Sequence, residues 1–186
     1  MTMELTPEEK LTNAETMRHI LTVRALLLEA VGELTRRARA HDVSKLVPPE
    51  VDTFTKYTPI LAGLTYGSPE YRDALAQMGP ALVNHYAKNS HHPEHFEGGI
   101  LDMDLFDLLE MMIDWKAATL RHANGNLQKS LEVNGPRYGI PPPLYRILQN
   151  TIAKVEKLAE KANVAVSYPH VEARPDTPSP TALKKD

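Results

Sequence analysis

Apolar residues recur three and four positions apart along most of the chain, which is the spacing of one face of an α-helix. The longest such pattern runs from about residue 13 into the basic residues 36–39, and it predicts one long helix that ends at His41. Further helices are predicted from residue 48, over 67–88, over 102–124 and over 143–162. No convincing strand alternation is present. The pattern therefore predicts an all-α fold, a helical bundle of about five to six helices.

The chain is long enough for one domain with a sizeable core. Its 186 residues are 42% hydrophobic and 24% charged, which is an ordinary composition for a globular protein. We predict one helical domain over residues 1–165, with loops over 89–99 and 135–143. The proline-rich stretch over 166–186 is predicted to be a disordered tail.

Charge and cysteine content exclude several classes of function. The formal net charge of -3 argues against a general nucleic-acid or membrane-surface binder, since both need a concentrated basic face. The chain has no cysteine, so disulfides and thiolate metal sites are excluded and any metal ligand is a nitrogen or an oxygen. No apolar run reaches about 18 residues, and the polar start is unlike a secretion signal. We therefore expect no membrane partner and a location in the cytoplasm.

Histidines and acidic residues accumulate in a pattern typical of a metal site. An adjacent histidine and aspartate, His41 and Asp42, stand at the predicted end of the first helix, where both can point at one cation. The loop over 89–99 contains the run His91-His92-Pro93-Glu94-His95, and imidazoles so close together repel one another when protonated. These residues predict a metal site with ligands drawn from the following set: His19, His41, Asp42, His85, His91, His92 and Asp114.

Three carboxylates lie on one stripe of the strongly apolar predicted helix over 102–124. An unpaired charge on such a helix costs several kcal/mol when it is buried, so each carboxylate needs a partner. For Asp114 we expect that partner to be the cation. For Asp107 and Glu110 we expect a solvated face or pairing with lysine or arginine. His19 shares a face with apolar residues, so its ring is expected to point inward.

The order of these residues resembles the HD-domain superfamily of metal-dependent phosphohydrolases, an all-α fold whose ligands run H, HD, optional further histidines and D. The segment Asp42-Val43-Ser44-Lys45 is similar to the HDxxK variant, and His91-His92 through Gly98-Gly99 is similar to the HHE…DG segment of the HD-GYP branch. The resemblance covers roughly residues 15–125. A closer likeness is to small HD-like proteins of bacteria and phages that carry HDxxK and HHPEH motifs, and this likeness implies no particular substrate.

Three departures from the HD-GYP pattern limit what is carried over. Pro93 interrupts the HHE segment, no Gly-Tyr-Pro follows Gly98-Gly99, and the separation from His19 to His41 is compact. We therefore do not infer hydrolysis of a cyclic dinucleotide.

The resemblance implies hydrolysis of a small phosphate compound, most simply a nucleotide or deoxynucleotide, with one or two divalent ions (Mn, Fe, Co, Ni or Zn, with Mg also compatible). His19, His41, Asp42 and Asp114 would hold one ion, and His85 with His91 or His92 a second. Lys45 would stabilise charge on the phosphate, as would Arg18 or Lys88. Glu94 or His95 would transfer a proton.

Two other functions fit the same ligands. A site of this kind with two irons carries oxygenase chemistry, which needs open coordination positions for dioxygen. A regulatory protein would bind metal and ligand without turnover. Under the phosphohydrolase hypothesis the expected partner is a small phosphate substrate, and no stable nucleic-acid partner is expected. A homo-oligomer is compatible with the sequence.

Overall fold

The structure is a computed structural model that describes residues 5–65, 67–120 and 125–162. These residues form α-helices, short 3₁₀ helices and connecting turns, and they contain no strand, so the all-α prediction is confirmed. The chain divides into two compact units, Met1–His41 and Asp42–Asp186. The single domain predicted over residues 1–165 stays a prediction. The tail predicted over 166–186 lies outside the described residues.

The first unit consists of one long helix, α1, Pro7–Ala40. Thr6 and Glu9 form a reciprocal capping box at its start, since the Thr6 side chain accepts from the Glu9 N–H and the Glu9 carboxylate from the Thr6 N–H. Its last turn carries Arg37 and Arg39, which suit the negative end of the helix dipole. Several large apolar side chains between residues 17 and 31 are exposed, which is typical of a helix suited to packing against other helices.

The second unit contains six α-helices in the described part of the chain. They are α2 (Val51–Ala62), α3 (Pro69–Gln77), α4 (Gly79–Lys88), α5 (Leu105–Thr119), α6 (Leu127–Arg137) and α7 (Pro142–Lys161). Short 3₁₀ helices cover Val43–Leu46, Pro93–His95 and Gly99–Asp102. With α1, the described residues form seven α-helices, whereas about five to six were expected. None of the helices in these ranges is long and apolar enough to cross a membrane.

Two differences from the sequence prediction explain the extra helices. The helix expected over 67–88 is interrupted at Gly79, which has a positive φ of 48° and divides α3 from α4. Helix α6 was not predicted, and its last turn occupies the start of the loop expected over 135–143. Its polar composition gives a weak apolar stripe, and Gly135 and Pro136 near its end are typical of loops.

Two apolar clusters hold the second unit together. The larger joins α5, α6 and α7 around buried residues that include Met111, Leu131 and Leu148. The smaller joins α2 and α3 around Tyr57, Ala74 and Met78. Helix α4 follows the smaller cluster in the chain and α5 belongs to the larger one, so the segment between them connects the two cores.

We expect Leu131→Ala to lower the free energy of unfolding by about 2–5 kcal/mol, because the side chain is almost fully buried and its removal leaves a cavity. Leu105→Ala is the matched control, since Leu105 is largely exposed and its truncation should cost less than about 0.5 kcal/mol. Denaturant unfolding followed by circular dichroism measures both variants. Equal losses of stability would show that the α5–α7 cluster is not the main core.

Candidate metal centre

Asp42 occupies a backbone conformation that few residues adopt. Its φ of 58° and ψ of 8° lie in the left-handed region, which aspartate tolerates better than most residues. This turn separates α1 from the 3₁₀ helix Val43–Leu46 and lets the Asp42 carboxylate face residues that follow in the chain. One carboxylate oxygen, Oδ2, lies 2.6 Å from the Lys45 ammonium.

Three histidines lie near the Asp42 carboxylate. His85 lies in the last turn of α4, whose C-cap is Asn89, and His91 and His92 follow in the next turn. His85 and His91 are 1% and 2% exposed, and His92 is half-buried. Asp42, His85, His91 and His92 each offer one nitrogen or oxygen atom, and these four atoms lie within 4.8 Å of one another.

The contact with Glu50 indicates which His85 nitrogen carries the proton. His85 Nδ1 lies 3.0 Å from Glu50 Oε2, and a carboxylate can only accept, so Nδ1 is the N–H. The opposite nitrogen, Nε2, therefore has a lone pair, and it lies 3.3 Å from Asp42 Oδ1. Two acceptor atoms so close together repel each other unless a cation or a proton lies between them.

His91 repeats this arrangement. Its Nδ1 lies 3.2 Å from Glu110 Oε1, which places the proton on Nδ1 and the lone pair on Nε2. That lone pair faces the same atom, Asp42 Oδ1, at 3.6 Å. A histidine ligand of a metal usually donates its other N–H to a carboxylate in this way. Both rings therefore have the orientation and the tautomer of metal ligands.

His92 adds a third nitrogen. Its Nε2 lies 2.9 Å from His85 Nε2. Burial, reinforced by the neighbouring His91 and His85, lowers the pKa of His92 to about 2, and burial also lowers the pKa of His85. Both rings are therefore neutral at neutral pH, and the neutral ring is the form that binds a metal.

The spacing of these atoms fits one divalent ion. Two ligands that each lie about 2.0–2.2 Å from one cation are about 3.0–3.5 Å apart from each other. The distances of 2.9 Å, 3.3 Å and 3.6 Å among Asp42 Oδ1, His85 Nε2, His91 Nε2 and His92 Nε2 correspond to that spacing. The residues present therefore fit a metal ion.

Asp114 lies beside this group, as the sequence predicts. One of its oxygens is within 4.8 Å of an oxygen of Asp42, and its charge acts on His92, whose pKa it raises against the larger effect of burial. Two carboxylates at this separation repel each other, and a shared cation would remove the repulsion.

Three of the residues that the sequence predicts for the site belong to the first unit. His41 is the C-cap of α1, and His19 and Arg18 lie on α1 itself. His19 is exposed on α1, and the expectation that its ring points inward stays a prediction. The roles of His41 and His19 as ligands, and of Arg18 in binding substrate, stay predictions.

Three other residues that the sequence predicts for the site lie in the second unit but outside the group of converging ligand atoms. Glu94, expected to transfer protons, forms an ion pair with Arg137 at 2.9 Å on the surface. His95 is exposed, and its Nδ1 donates to the Tyr86 carbonyl at 2.8 Å. Lys88 is exposed in the last turn of α4. None of these three is among the four residues whose ligand atoms converge.

Asp107 and Glu110 do not lie on a solvated face. Glu110 contacts His91, as described above. Asp107 is 4% exposed and accepts hydrogen bonds from the Ser90 hydroxyl and the Asp104 N–H. It therefore links the start of α5 to the turn that contains His91 and His92. Both carboxylates are thus structural neighbours of the site.

Glu50 is the residue of the site that the sequence did not reveal. It is fully buried and contacts His85, yet an acidic residue after two prolines is the usual signature of a helix start. The reach of its side chain to α4 depends on the packing of two helices. Local sequence carries no signal for such a contact.

Comparison with known proteins places the chain in a family without assigning an activity. Searches of curated proteins and of solved structures found no match. One family model matches residues 8–161, which include both the long first helix and all of the converging histidines. The match spans more than half of the chain, which therefore belongs to the family of unknown function DUF5662.

Proposed function

We propose that this protein is a metal-dependent phosphohydrolase that acts on a small phosphate compound, most simply a nucleotide or deoxynucleotide. The observation that carries the proposal is the convergence of the His85 and His91 lone pairs on Asp42 Oδ1, with a carboxylate behind each ring. This arrangement of acceptors is electrostatically unfavourable without a cation or a proton between them, and it has the second layer of hydrogen bonds that metal sites use.

The ligand set favours a transition metal. Three imidazoles and one carboxylate are softer than the all-oxygen sets that Mg²⁺ and Ca²⁺ prefer. Mn, Fe, Co, Ni and Zn all accept such ligands. Asp114, at the edge of the group, is the residue we assign to a second ion or to completing the first.

Hydrolysis of a phosphate ester suits these residues. A divalent ion bound by Asp42 and the histidines would lower the pKa of a bound water and polarise the phosphorus. Lys45 lies on the other side of Asp42 and presents the ammonium that would stabilise charge on the phosphate oxygens. The resemblance to HD-domain phosphohydrolases, which rests on the order His41-Asp42, Lys45, His85, His91-His92 and Asp114, supports the same reaction.

The first test is metal binding. We expect Asp42→Asn to weaken binding of Mn²⁺, Co²⁺ and Zn²⁺ at least tenfold, because the substitution removes the anionic oxygen that faces both lone pairs. Asparagine also tolerates the left-handed backbone, so the fold should be kept. Metal analysis after dialysis and competition with a chromophoric chelator measure the effect.

Asp73→Asn is the control for this test, since Asp73 is exposed on α3 and the substitution should leave metal affinity unchanged. Equal affinity in Asp42→Asn and the unaltered protein would contradict the site. Iron with visible colour and oxygen consumption would instead favour oxygenase chemistry. Metal bound without turnover of any phosphate compound would favour a regulatory protein.

The second test concerns Lys45. We expect Lys45→Met to keep the metal and to slow phosphate release from nucleoside mono-, di- or triphosphates by about a hundredfold, the usual effect of removing one group that stabilises transition-state charge. Methionine fills a similar volume beside the Phe54 ring, over which the Lys45 ammonium lies 4.9 Å from the centroid, and it removes only the charge.

Lys56→Met is the matched control, because the Lys56 ammonium also lies over a ring, that of Tyr57 at 5.0 Å. Its removal should leave turnover unchanged. If Lys45→Met lost the metal, or kept full turnover, the role of Lys45 in phosphate chemistry would be wrong.

A further inference from the structure

The buried carboxylate of Glu50 lies behind His85 and takes no direct part in the reaction proposed above. We propose that Glu50 is a positioning residue that holds His85 in the tautomer with Nδ1 protonated, so that Nε2 is always available to the metal. The inference rests on the proposed metal site, and it adds a residue outside the ligand set that controls how tightly the metal is held.

Glu50 contacts three side chains. Its Oε2 accepts hydrogen bonds from His85 Nδ1 at 3.0 Å and from the Ser44 hydroxyl at 2.9 Å. Its Oε1 accepts from Asn84 Nδ2 at 2.6 Å. Glu50 is 0% exposed, so water does not compete for these bonds. The carboxylate is therefore fixed in position relative to the His85 ring.

The surrounding donors allow only one direction for the bond to His85. Both hydrogens of the Asn89 amide are used, one by the Ser44 oxygen at 3.0 Å and one by the His85 carbonyl at 2.8 Å. The Ser44 hydroxyl in turn gives its proton to Glu50 Oε2 at 2.9 Å, the nearer acceptor, rather than to His85 Nδ1 at 3.3 Å. Although Asn89 Nδ2 lies 3.0 Å from His85 Nδ1, it has no hydrogen left for that nitrogen. Nδ1 must therefore donate to Glu50.

The three groups that donate hydrogen bonds to Glu50 are neutral, so these contacts are not ion pairs. Burying a carboxylate among neutral donors is costly, and the cost falls when positive charge lies nearby. A cation bound at Nε2 of His85 would supply that positive charge on the far side of the ring. The carboxylate would in turn make the Nε2 lone pair a stronger electron-pair donor to the metal. A role in packing alone would not require an acidic residue here.

Glu110 provides an internal comparison. It faces His91 Nδ1 at 3.2 Å, but its side chain is 14% exposed, whereas that of Glu50 is 0% exposed. An electrostatic contact is stronger where water is excluded. We therefore expect Glu50 to influence its histidine more than Glu110 influences His91.

The first experiment uses the unaltered, metal-free protein. Nitrogen-15 NMR of the histidine side chains should show His85 protonated at Nδ1 and unprotonated at Nε2. The same measurement on Glu50→Gln should show the Nε2-protonated tautomer becoming populated, because the glutamine amide can donate to Nδ1 as well as accept from it. Protonation of His85 at Nε2 in the unaltered protein would overturn the proposal, and this readout does not depend on metal or on the folding of a variant.

The second experiment measures affinity for Co²⁺, followed by visible absorption. Glu50→Gln should weaken Co²⁺ binding by about 10–100-fold, the usual effect of removing the partner of a histidine ligand. The melting temperature of the metal-free variant should be no lower than that of the parent, since a buried charge is removed. Glu156→Gln is the control, because Glu156 of α7 pairs with Lys116 of α5 and its substitution should not affect Co²⁺ binding.

The outcomes separate the two proposals. If the unaltered protein binds no Co²⁺, the proposed metal function fails, while the tautomer of His85 still tests Glu50. If the unaltered protein binds Co²⁺ and Glu50→Gln binds it equally well, the positioning role of Glu50 is wrong and the metal site stands. A large loss of melting temperature with unchanged Co²⁺ affinity would also contradict the proposal, since it would show a structural role only.

Discussion

The site depends on one electrostatic constraint, the approach of two imidazole lone pairs to a single carboxylate oxygen. His85 and His91 reach Asp42 Oδ1 from two sides, and each is prevented from turning its N–H toward that oxygen by a glutamate behind the ring. If either glutamate were absent, the ring could donate to Asp42 and the conflict would disappear. The two glutamates therefore keep the group ready for a cation rather than for a hydrogen bond.

The fold supplies each part of this group from a different place. The left-handed turn at Asp42, the end of α4 and the turn after Asn89 supply the ligand atoms, while α5 supplies Glu110 and the segment before α2 supplies Glu50. The Phe54 ring of α2 lies edge-on to His85, with 5.3 Å between the ring centroids. The smaller apolar cluster therefore lies behind His85 and the larger one behind Glu110, so both cores contribute to the rigidity of the site.

The sequence predicts the helices and the ligands better than it predicts their partners. Helical spacing is a local property, and it identifies α1, α5 and α7 because each has a continuous apolar stripe. Histidine and aspartate are few, so their clustering indicates Asp42, His85, His91 and His92. Glutamates are common on helix surfaces, and only the packing of helices shows that Glu50 and Glu110 are turned toward histidines. Residue types with many ordinary roles are thus the ones that sequence analysis assigns wrongly.

Lys45 gives the two oxygens of Asp42 different surroundings. The ammonium lies 2.6 Å from Oδ2, while Oδ1 faces the histidines. Its charge contributes to the lowered pKa of both His85 and His92, so it helps to keep these rings neutral. An ammonium at Oδ1 would instead have neutralised the atom on which the lone pairs converge. The position of Lys45, three residues after Asp42 on a 3₁₀ turn, brings a positive charge next to the site and leaves the space between Oδ1 and the histidines open to a metal ion.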